Sequence, residues 1–301
     1  KQFKIIPFDS SQISHPAPNI IIRLFLALIR LIKFHIILLM KKPDGVLIFC
    51  SDGVSAIEKG VMVLASKVLN LKAYIFPRAG NLISQASKSF LILIIIRFLF
   101  KKADLFFCQG EKWLEFANKN LKIELNKIKI ISNWSATENL LKIGSRRKIK
   151  SSNYNLKIVY VGWLEKEKGI LELFNSFLEL QKKNLNFELI LIGDGSLKKN
   201  MENFKLETTS NNLKLVGWLN EDEICEYLAF SDIFVLPSWK EGMPNALIEA
   251  LASGLPSITT SVGVIPDYLK NNFSVLLVEP KNSNILTKSI ENLINDNKLR
   301  E

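Results

Sequence analysis

Apolar runs of strand length alternate with amphipathic segments of helix length along most of this chain. In the first half the predicted strands are Gly45–Cys50, Ala73–Phe76, Leu105–Cys108 and Ile128–Ile131, with helical patterns at Ala56–Leu69 and Glu111–Asn118. In the second half the strands are Leu156–Val161, Phe187–Ile192, Leu213–Val216, Ile233–Leu236, Ser257–Thr259 and Val275–Val278, with helices at Gly169–Lys182, Glu221–Ala229 and Pro244–Ser253. Strands separated by helices form parallel sheets, because a parallel crossover needs about a dozen residues. The pattern therefore predicts an α/β fold of two doubly wound parallel-sheet domains facing a cleft.

A polar segment without apolar periodicity, Lys142–Asn155 (KIGSRRKIKSSNYN), separates the two sets of strands. We place the linker within it. The predicted organisation is an N-terminal domain at 1–143, a linker at 144–155 and a C-terminal domain at 156–301.

The charge differs between the two halves. Residues 1–150 carry 25 Lys and Arg against 9 Asp and Glu, a formal charge of +16, whereas residues 151–301 carry 15 against 20, a charge of −5. A basic half can bind nucleic acid, an anionic membrane surface or phosphorylated ligands. Its lysines are scattered or attached to apolar helices and are not interleaved with aromatic residues. We therefore expect no nucleic-acid partner, and salt-dependent oligonucleotide binding is kept as an alternative to test.

Cysteine and histidine are sparse. Cys50, Cys108 and Cys225 are scattered, form no CxxC pair and indicate a reducing compartment. His15 and His35 are the two histidines, which is too few for a Cys/His zinc site. No Asp-x-Asp sequence occurs, so a metal-bound diphosphate is not indicated. We expect no metal or other cofactor.

Two segments are strongly apolar. Ile20–Met40 is long enough to span a bilayer but contains Arg23, Arg30 and Lys33, which would each cost about 2.5–3.5 kcal/mol near its centre. Phe90–Phe100 has the same character. Both segments are predicted to be helices in the domain interior, with arginine tips reaching solvent, or else helices lying against an anionic membrane.

The most informative stretch is Pro237–Pro256 (PSWKEGMPNALIEALASGLP). A strand ends before Pro237, and Pro244 is predicted at the first position of a helix that Gly254 and Pro256 terminate. Backbone amides of Gly242–Asn245 at the positive end of this helix would bind an anion. Glu241 before the helix and Glu249 about 7.5 Å along it could bind sugar hydroxyls on either side of a diphosphate. The alternative is that both glutamates are simply solvated.

These residues carry a resemblance to a known family. Ile233–Pro266 resembles the signature of the retaining family-4 glycosyltransferases of the GT-B fold, which has two Rossmann-like domains and two glutamates separated by seven residues. The likeness extends to Val159–Gly169 (VYVGWLEKEKG), Leu189–Gly195 (LILIGDG) and Leu213–Leu219 (LKLVGWL), and more loosely to Lys127–Asn133 (KIKIISN).

The resemblance implies roles for individual residues. Glu241 and Lys168 would be the catalytic pair, with Glu241 holding the sugar and Lys168 the diphosphate. Glu249 would bind the ribose, and the backbone near Trp218 the base. The implied donor-binding set is Gly162, Trp163, Trp218, Gly242, Met243, Pro244, Asn245 and Glu249.

The chain also departs from the family pattern. Trp163 stands where the family usually has an arginine, and Arg78 stands where a histidine is common, so Arg78 is a candidate for an acceptor or phosphate contact. Relative to the family, the chain is expected to lack an N-terminal strand with its glycine-rich loop and a C-terminal closing helix.

The resemblance implies a retaining, metal-independent hexosyltransferase. It would move a sugar from a nucleotide-diphosphate donor to a glycan or lipid-linked acceptor, in bacterial surface polysaccharide, lipopolysaccharide or glycolipid biosynthesis. The expected location is the cytoplasm, either free or peripheral on the inner face of the cytoplasmic membrane. The alternative is a catalytically silent nucleotide-sugar-binding protein of the same fold, motivated by Trp163.

Overall fold

The computed structural model describes residues 4–10, 19–78, 81–150, 154–208 and 211–301. The chain divides into two compact units, Lys1–Ile131 and Ser132–Glu301, which we call unit 1 and unit 2. Each unit contains one parallel β-sheet, so the predicted α/β class is confirmed. Residues 132–143, which we predicted in the N-terminal domain, belong to unit 2. His15 and residues 151–153 of the predicted linker lie outside the described residues.

Unit 1 is built on four parallel strands that run side by side in sequence order: β1 (Gly45–Cys50), β2 (Lys72–Pro77), β3 (Leu105–Cys108) and β4 (Ile128–Ile130). Its helices are α1 (Ile20–Lys41), α2 (Val54–Val68), α3 (Asn81–Lys88), α4 (Phe90–Phe100) and α5 (Glu111–Glu115). A π-helical turn (Phe116–Asn120) and a 3₁₀ turn (Leu125–Lys127) follow α5. Along β1, buried Ile48 alternates with exposed Leu47 and Phe49, as the two-residue period of a strand requires.

Helix α1 forms as the sequence predicts, and the side chain of one of its arginines, Arg30, turns toward α2 and is only 20% exposed. The Arg30 guanidinium donates two hydrogen bonds, of 2.7 and 2.8 Å, to the carboxylate of Glu58 on α2. Glu58 and its neighbour Lys59 are buried. Burial opposes the charged form of Glu58, but the Arg30 hydrogen bond and the charge of Lys59 outweigh it and lower the pKa of this carboxyl. In the part of the chain that the structure describes, no helix has both the length and the apolarity to cross a bilayer.

Unit 2 contains a six-stranded parallel sheet in the order β10-β9-β8-β5-β6-β7. The strands are β5 (Leu156–Val161), β6 (Phe187–Ile192), β7 (Leu213–Gly217), β8 (Ile233–Leu236), β9 (Ser257–Thr260) and β10 (Leu276–Val278). The helices are α6 (Glu138–Ser145), α7 (Ile170–Gln181), α8 (Lys198–Thr208), α9 (Glu221–Phe230), α10 (Asn245–Ala252), α11 (Ile265–Tyr268), α12 (Ser283–Asn295) and α13 (Asn297–Arg300). Strands β5, β6 and β8 are almost entirely buried, which accounts for their continuous apolar sequences.

Arg147, just after α6, forms hydrogen bonds that link this helix to α9 and α10. Its guanidinium donates 2.6 Å hydrogen bonds to the backbone carbonyls of Leu228, Ser231 and Ser253, at the ends of α9 and α10. Gly144 also approaches α10 so closely that a Cβ there would lie 2.4 Å from the carbonyl oxygen of Ala252. These long-range contacts explain why the segment predicted as a linker begins inside unit 2.

Candidate functional site

The order of the strands in unit 2 reverses direction between β5 and β8. The chain passes from β5 outward through β6 and β7, and then returns to the other side of β5 as β8. Ligands of open parallel sheets bind beyond the carboxyl ends of the strands at such a reversal. The loops that follow β5 and β8 are therefore where a ligand is expected.

These two loops pack directly on each other. Gly169 has φ +71°, and a Cβ at this position would lie 2.1 Å from the carbonyl oxygen of Pro237. The Trp239 amide donates a 2.8 Å hydrogen bond to the Glu167 carbonyl. Glycine at 169 is required both by its backbone conformation and by the lack of space.

Lys168 and Glu241, the predicted catalytic pair, are in contact. Lys168 Nζ lies 2.6 Å from Glu241 Oε1. The Glu241 side chain is only 9% exposed and that of Lys168 is 28% exposed. The structure therefore places a lysine amino group and a glutamate carboxyl group, 73 residues apart in sequence, at the carboxyl edge of the two central strands.

The Glu241 loop rests on a second close glycine contact. Gly263 has φ +61°, and a Cβ there would lie 2.1 Å from the Glu241 carbonyl oxygen and 2.6 Å from that of Gly242. The Val264 amide also donates a 3.3 Å hydrogen bond to the Gly242 carbonyl. The position of Glu241 thus depends on the absence of a side chain at 263.

Helix α10 begins one residue later than predicted. Pro244 is the N-cap, with φ −73° and ψ 127°, and the first helical residue is Asn245. The extended ψ keeps Pro244 outside the helix, while its carbonyl accepts the first helical hydrogen bond from the Ile248 amide. Proline has no side-chain oxygen with which to cap the first turn. The positive end of the helix dipole lies next to Gly242 and Met243, where it would favour an anion.

Glu249 lies on α10, as predicted, and is half-buried. Burial raises the pKa of its carboxyl, although a hydrogen bond with the Ser135 side chain acts in the opposite direction. A carboxylate held partly out of water is a strong acceptor for hydroxyl groups.

Two residues that contact the start of α10, Asn133 and Ser135, were not predicted from the sequence. The Asn133 side-chain amide donates hydrogen bonds to the Met243 carbonyl and to Asn245 Oδ1, the latter at 2.8 Å. The Ser135 hydroxyl donates to the Asn245 carbonyl at 3.2 Å. The polar residues that follow the strand in KIKIISN were an available signal, but we assigned this segment to the other domain.

Trp163 and Trp218 form a partly exposed aromatic pair. They follow β5 and β7, their ring centroids are 5.2 Å apart, and they are 37% and 66% exposed. The buried Tyr160 hydroxyl donates a 2.8 Å hydrogen bond to the Trp163 carbonyl, which holds the start of this loop next to Gly162. Trp163, at the position where the resemblance leads us to expect an arginine, thus places a neutral ring against Trp218.

Arg78, the candidate acceptor or phosphate residue, belongs to unit 1. Its guanidinium lies over the rings of Phe49 and Phe76, 5.7 Å from each centroid. Burial lowers the pKa of this guanidinium. Among the residues that the structure describes, no cluster of three or more His, Cys, Asp or Glu side chains could hold a metal ion.

Comparison with solved structures defines the class of this protein as an α/β protein of the GT-B fold. Sucrose-phosphate synthase from Thermosynechococcus elongatus superposes with a TM-score of 0.74 at 18% identity, covering 96% of this chain and 74% of that one. Anabaena Alr3699/HepE in complex with UDP-glucose superposes with a TM-score of 0.66 at 17% identity, covering 91% of this chain and 74% of that one.

The chain belongs to the family of glycosyl transferases group 1, whose sequence profile matches residues 143–301. The capsular polysaccharide biosynthesis glycosyltransferase CapM of Staphylococcus aureus is 33% identical over 152 residues, covering 50% of this chain and 40% of CapM. The UDP-Gal:alpha-D-GlcNAc-diphosphoundecaprenol alpha-1,3-galactosyltransferase of Escherichia coli is 30% identical over 182 residues, covering 57% of this chain and 46% of that enzyme. The chain thus spans about half the length of the curated relatives it matches.

Proposed function

We propose that this protein is a retaining family-4 glycosyltransferase of the hexosyltransferase type. It transfers a sugar from a nucleotide-diphosphate sugar to a glycan or lipid-linked acceptor in the synthesis of a bacterial surface polysaccharide or glycolipid. The observation that carries the proposal is the Lys168–Glu241 pair at the strand reversal, next to the start of α10. The names of the relatives support it, since they include a capsule enzyme and an enzyme that uses a UDP-sugar and a diphosphoundecaprenol-linked acceptor.

In the proposed complex the donor diphosphate binds the amides that begin α10 and the Lys168 ammonium. Glu249 accepts hydrogen bonds from the ribose hydroxyls, and Glu241 binds the hydroxyls of the transferred sugar. The base lies near Trp163 and Trp218.

The proposed chemistry needs no metal ion. The bond between the sugar anomeric carbon and the diphosphate oxygen breaks, and the electron pair passes to the departing diphosphate. Lys168 and the α10 dipole stabilise this charge. The acceptor hydroxyl attacks the same face of the sugar, and its proton passes to the departing phosphate oxygen. Catalysis then consists of positioning and charge stabilisation.

We place this reaction in the cytoplasm, at the inner face of the cytoplasmic membrane. A lipid-linked acceptor, of the kind named for the E. coli relative, would present its sugar at the bilayer surface.

The proposal is tested by the affinity of the protein for UDP, GDP, ADP and their sugars, measured by thermal shift and then by calorimetry. For the nucleotide that binds, Lys168→Ala should weaken diphosphate binding by about tenfold or more, because a charge-assisted contact is lost. The loss should be smaller for the matching nucleoside monophosphate. Glu249→Ala should weaken both nucleotides, because they share the ribose.

Lys182 and Glu179 provide the matched control. They form an exposed ion pair of 2.7 Å at the C-terminal end of α7, so Lys182→Ala removes the same kind of side chain away from the strand reversal. It should leave nucleotide affinity unchanged. If Lys168→Ala binds the diphosphate as well as Lys182→Ala does, the assignment of the site is wrong.

A catalytically silent nucleotide-sugar-binding protein is the second candidate. Trp163 favours it, because this ring packs on Trp218 at a position where the family resemblance leads us to expect a phosphate-binding arginine. Donor binding without sugar transfer or donor hydrolysis, across a panel of lipid-linked and free glycan acceptors, would support this alternative. Transfer to any of these acceptors would eliminate it.

A further inference from the structure

Helix α1 presents an apolar stripe to its surroundings. The exposed members of this stripe recur every three or four residues along the helix: Ile21, Phe25, Leu28, Ile32, Ile36 and Leu39. We call them the α1 stripe. The opposite side of α1 packs into unit 1 through Ala27, Phe34 and Leu38. At 1.5 Å per residue the helix is about 33 Å long, so the stripe is too large to be scattered surface residues.

Helix α1 is apolar on its outer side as well as its inner side, unlike a helix on a water-exposed surface. A helix of that kind packs its apolar side inward and keeps its charges outside. Here Arg30 points inward and forms an ion pair of 2.7 Å with buried Glu58, while the outward side is apolar. The internal ion pair leaves the outside of the helix suited to an apolar environment.

Helix α4 also exposes an apolar side. Like α1 it packs on α2, and it exposes Phe90, Leu91, Ile94 and Phe98. Neither helix contains an acidic residue. The exposed charges on the two helices belong to lysines, and lysines also flank their ends: Lys33, Lys41, Lys42, Lys88, Lys101 and Lys102. Two acidic residues near α1, Asp9 and Asp44, are exposed as well.

We propose that the outer faces of α1 and α4 lie in the interface of an anionic phospholipid bilayer. Large apolar side chains would enter the boundary between headgroups and acyl chains, and the lysines would contact the anionic headgroups. A mostly basic rim around a large apolar face matches an anionic lipid surface better than a protein partner, whose own surface carries charges of both signs. The inference rests on the proposed function only in that the bilayer would supply a lipid-linked acceptor.

The test is co-sedimentation of the 301-residue chain with vesicles of phosphatidylcholine alone and of an equimolar mixture with phosphatidylglycerol. The protein should bind the anionic vesicles at least about tenfold more strongly than the neutral ones. The double variant Phe25→Asp/Ile32→Asp should lose most of this binding. Phe273→Asp in unit 2 is the matched control, because Phe273 is 88% exposed and Phe25 is 62% exposed. It should bind the vesicles like the unaltered protein.

A charge variant keeps the test independent of folding. Lys101→Glu/Lys102→Glu changes two exposed side chains and leaves both apolar faces intact. It should lose the preference for anionic vesicles while its circular dichroism spectrum is unchanged. Equal binding of this variant to both kinds of vesicle, together with weakened total binding, is the expected result.

Two outcomes would overturn the proposal. One is that the unaltered protein binds neither kind of vesicle, or that Phe25→Asp/Ile32→Asp binds as well as Phe273→Asp. The other is a stable oligomer in light scattering that Phe25→Asp/Ile32→Asp dissociates, because the α1 stripe would then be a protein interface. Nucleotide-sugar affinity without vesicles should be the same in all these variants. A failure of donor binding would therefore refute the proposed function and leave the membrane inference standing.

Discussion

Replacing Gly263 by alanine should displace the loop that carries Glu241. Gly263 has φ +61°, and its added Cβ would lie 2.1 Å from the Glu241 carbonyl oxygen. A non-glycine residue in this backbone region costs about 1–3 kcal/mol. Ordinary carbon–oxygen contacts need more than 3 Å, so the loop would also have to move by about 1 Å, for about 1–3 kcal/mol more. We expect Gly263→Ala to lower the free energy of unfolding of unit 2 by about 2–6 kcal/mol.

Gly217 is the matched control in the same unit. It has φ +86°, and a Cβ there would meet nothing within 4 Å. Gly217→Ala should therefore cost only the backbone contribution, about 1–3 kcal/mol. The difference between the two variants isolates the contact between Gly263 and the Glu241 loop.

The assay is urea unfolding monitored by tryptophan fluorescence in a Trp113→Phe background. Trp113 lies in unit 1 and the other four tryptophans lie in unit 2, so the signal then reports unit 2 alone. Nucleotide affinity of the folded Gly263→Ala protein should also fall, because Lys168 would lose its contact with Glu241. Equal losses of stability in the two glycine variants, within about 0.5 kcal/mol, would refute the packing argument.

Three further predictions concern buried or partly buried charges. Glu58→Ala should destabilise unit 1 by about 3–5 kcal/mol at neutral pH in urea unfolding, because Arg30 and Lys59 lose their partner. Since the pKa of Glu58 is lowered, its stabilising contribution is present above the ordinary glutamate pKa and disappears as the pH falls through the folded value, so the stabilities of variant and parent should converge in acid. Glu249→Gln should raise the stability of unit 2 by up to about 1 kcal/mol at neutral pH and not in acid, because burial raises the pKa of Glu249. Calorimetry should show weaker nucleotide binding by this variant. Arg147→Met should destabilise unit 2 by about 2–4 kcal/mol in the same unfolding assay, since three backbone carbonyls lose their donor, and Arg147→Lys should restore only part of this.

The sequence alone determined the regular elements and the local part of the site. Strands β1, β3, β5, β6 and β8 have the predicted bounds, because the length and composition of an apolar run are local properties that survive into the fold. The segment from Glu241 to Glu249 was identifiable for the same reason, since its glycine, proline and helix start are adjacent in the chain. Even there the predicted start of the helix was wrong by one residue: Pro244 was predicted as the first helical residue and is the N-cap. Helix ends depend on backbone dihedrals that a sequence pattern does not define.

Only the tertiary structure decided which distant residues meet. Lys168 reaches Glu241 because β5 and β8 are neighbours. Asn133 reaches Met243, 110 residues away, because the segment that follows β4 belongs to unit 2. The sequence also did not determine which side of α1 faces the interior of unit 1. Its helical period showed that arginines and apolar side chains occupy different sides, but the position of Glu58 on α2 determined that Arg30 faces inward. Periodicity describes a helix relative to its own axis, whereas the face it buries depends on partners far away in the chain.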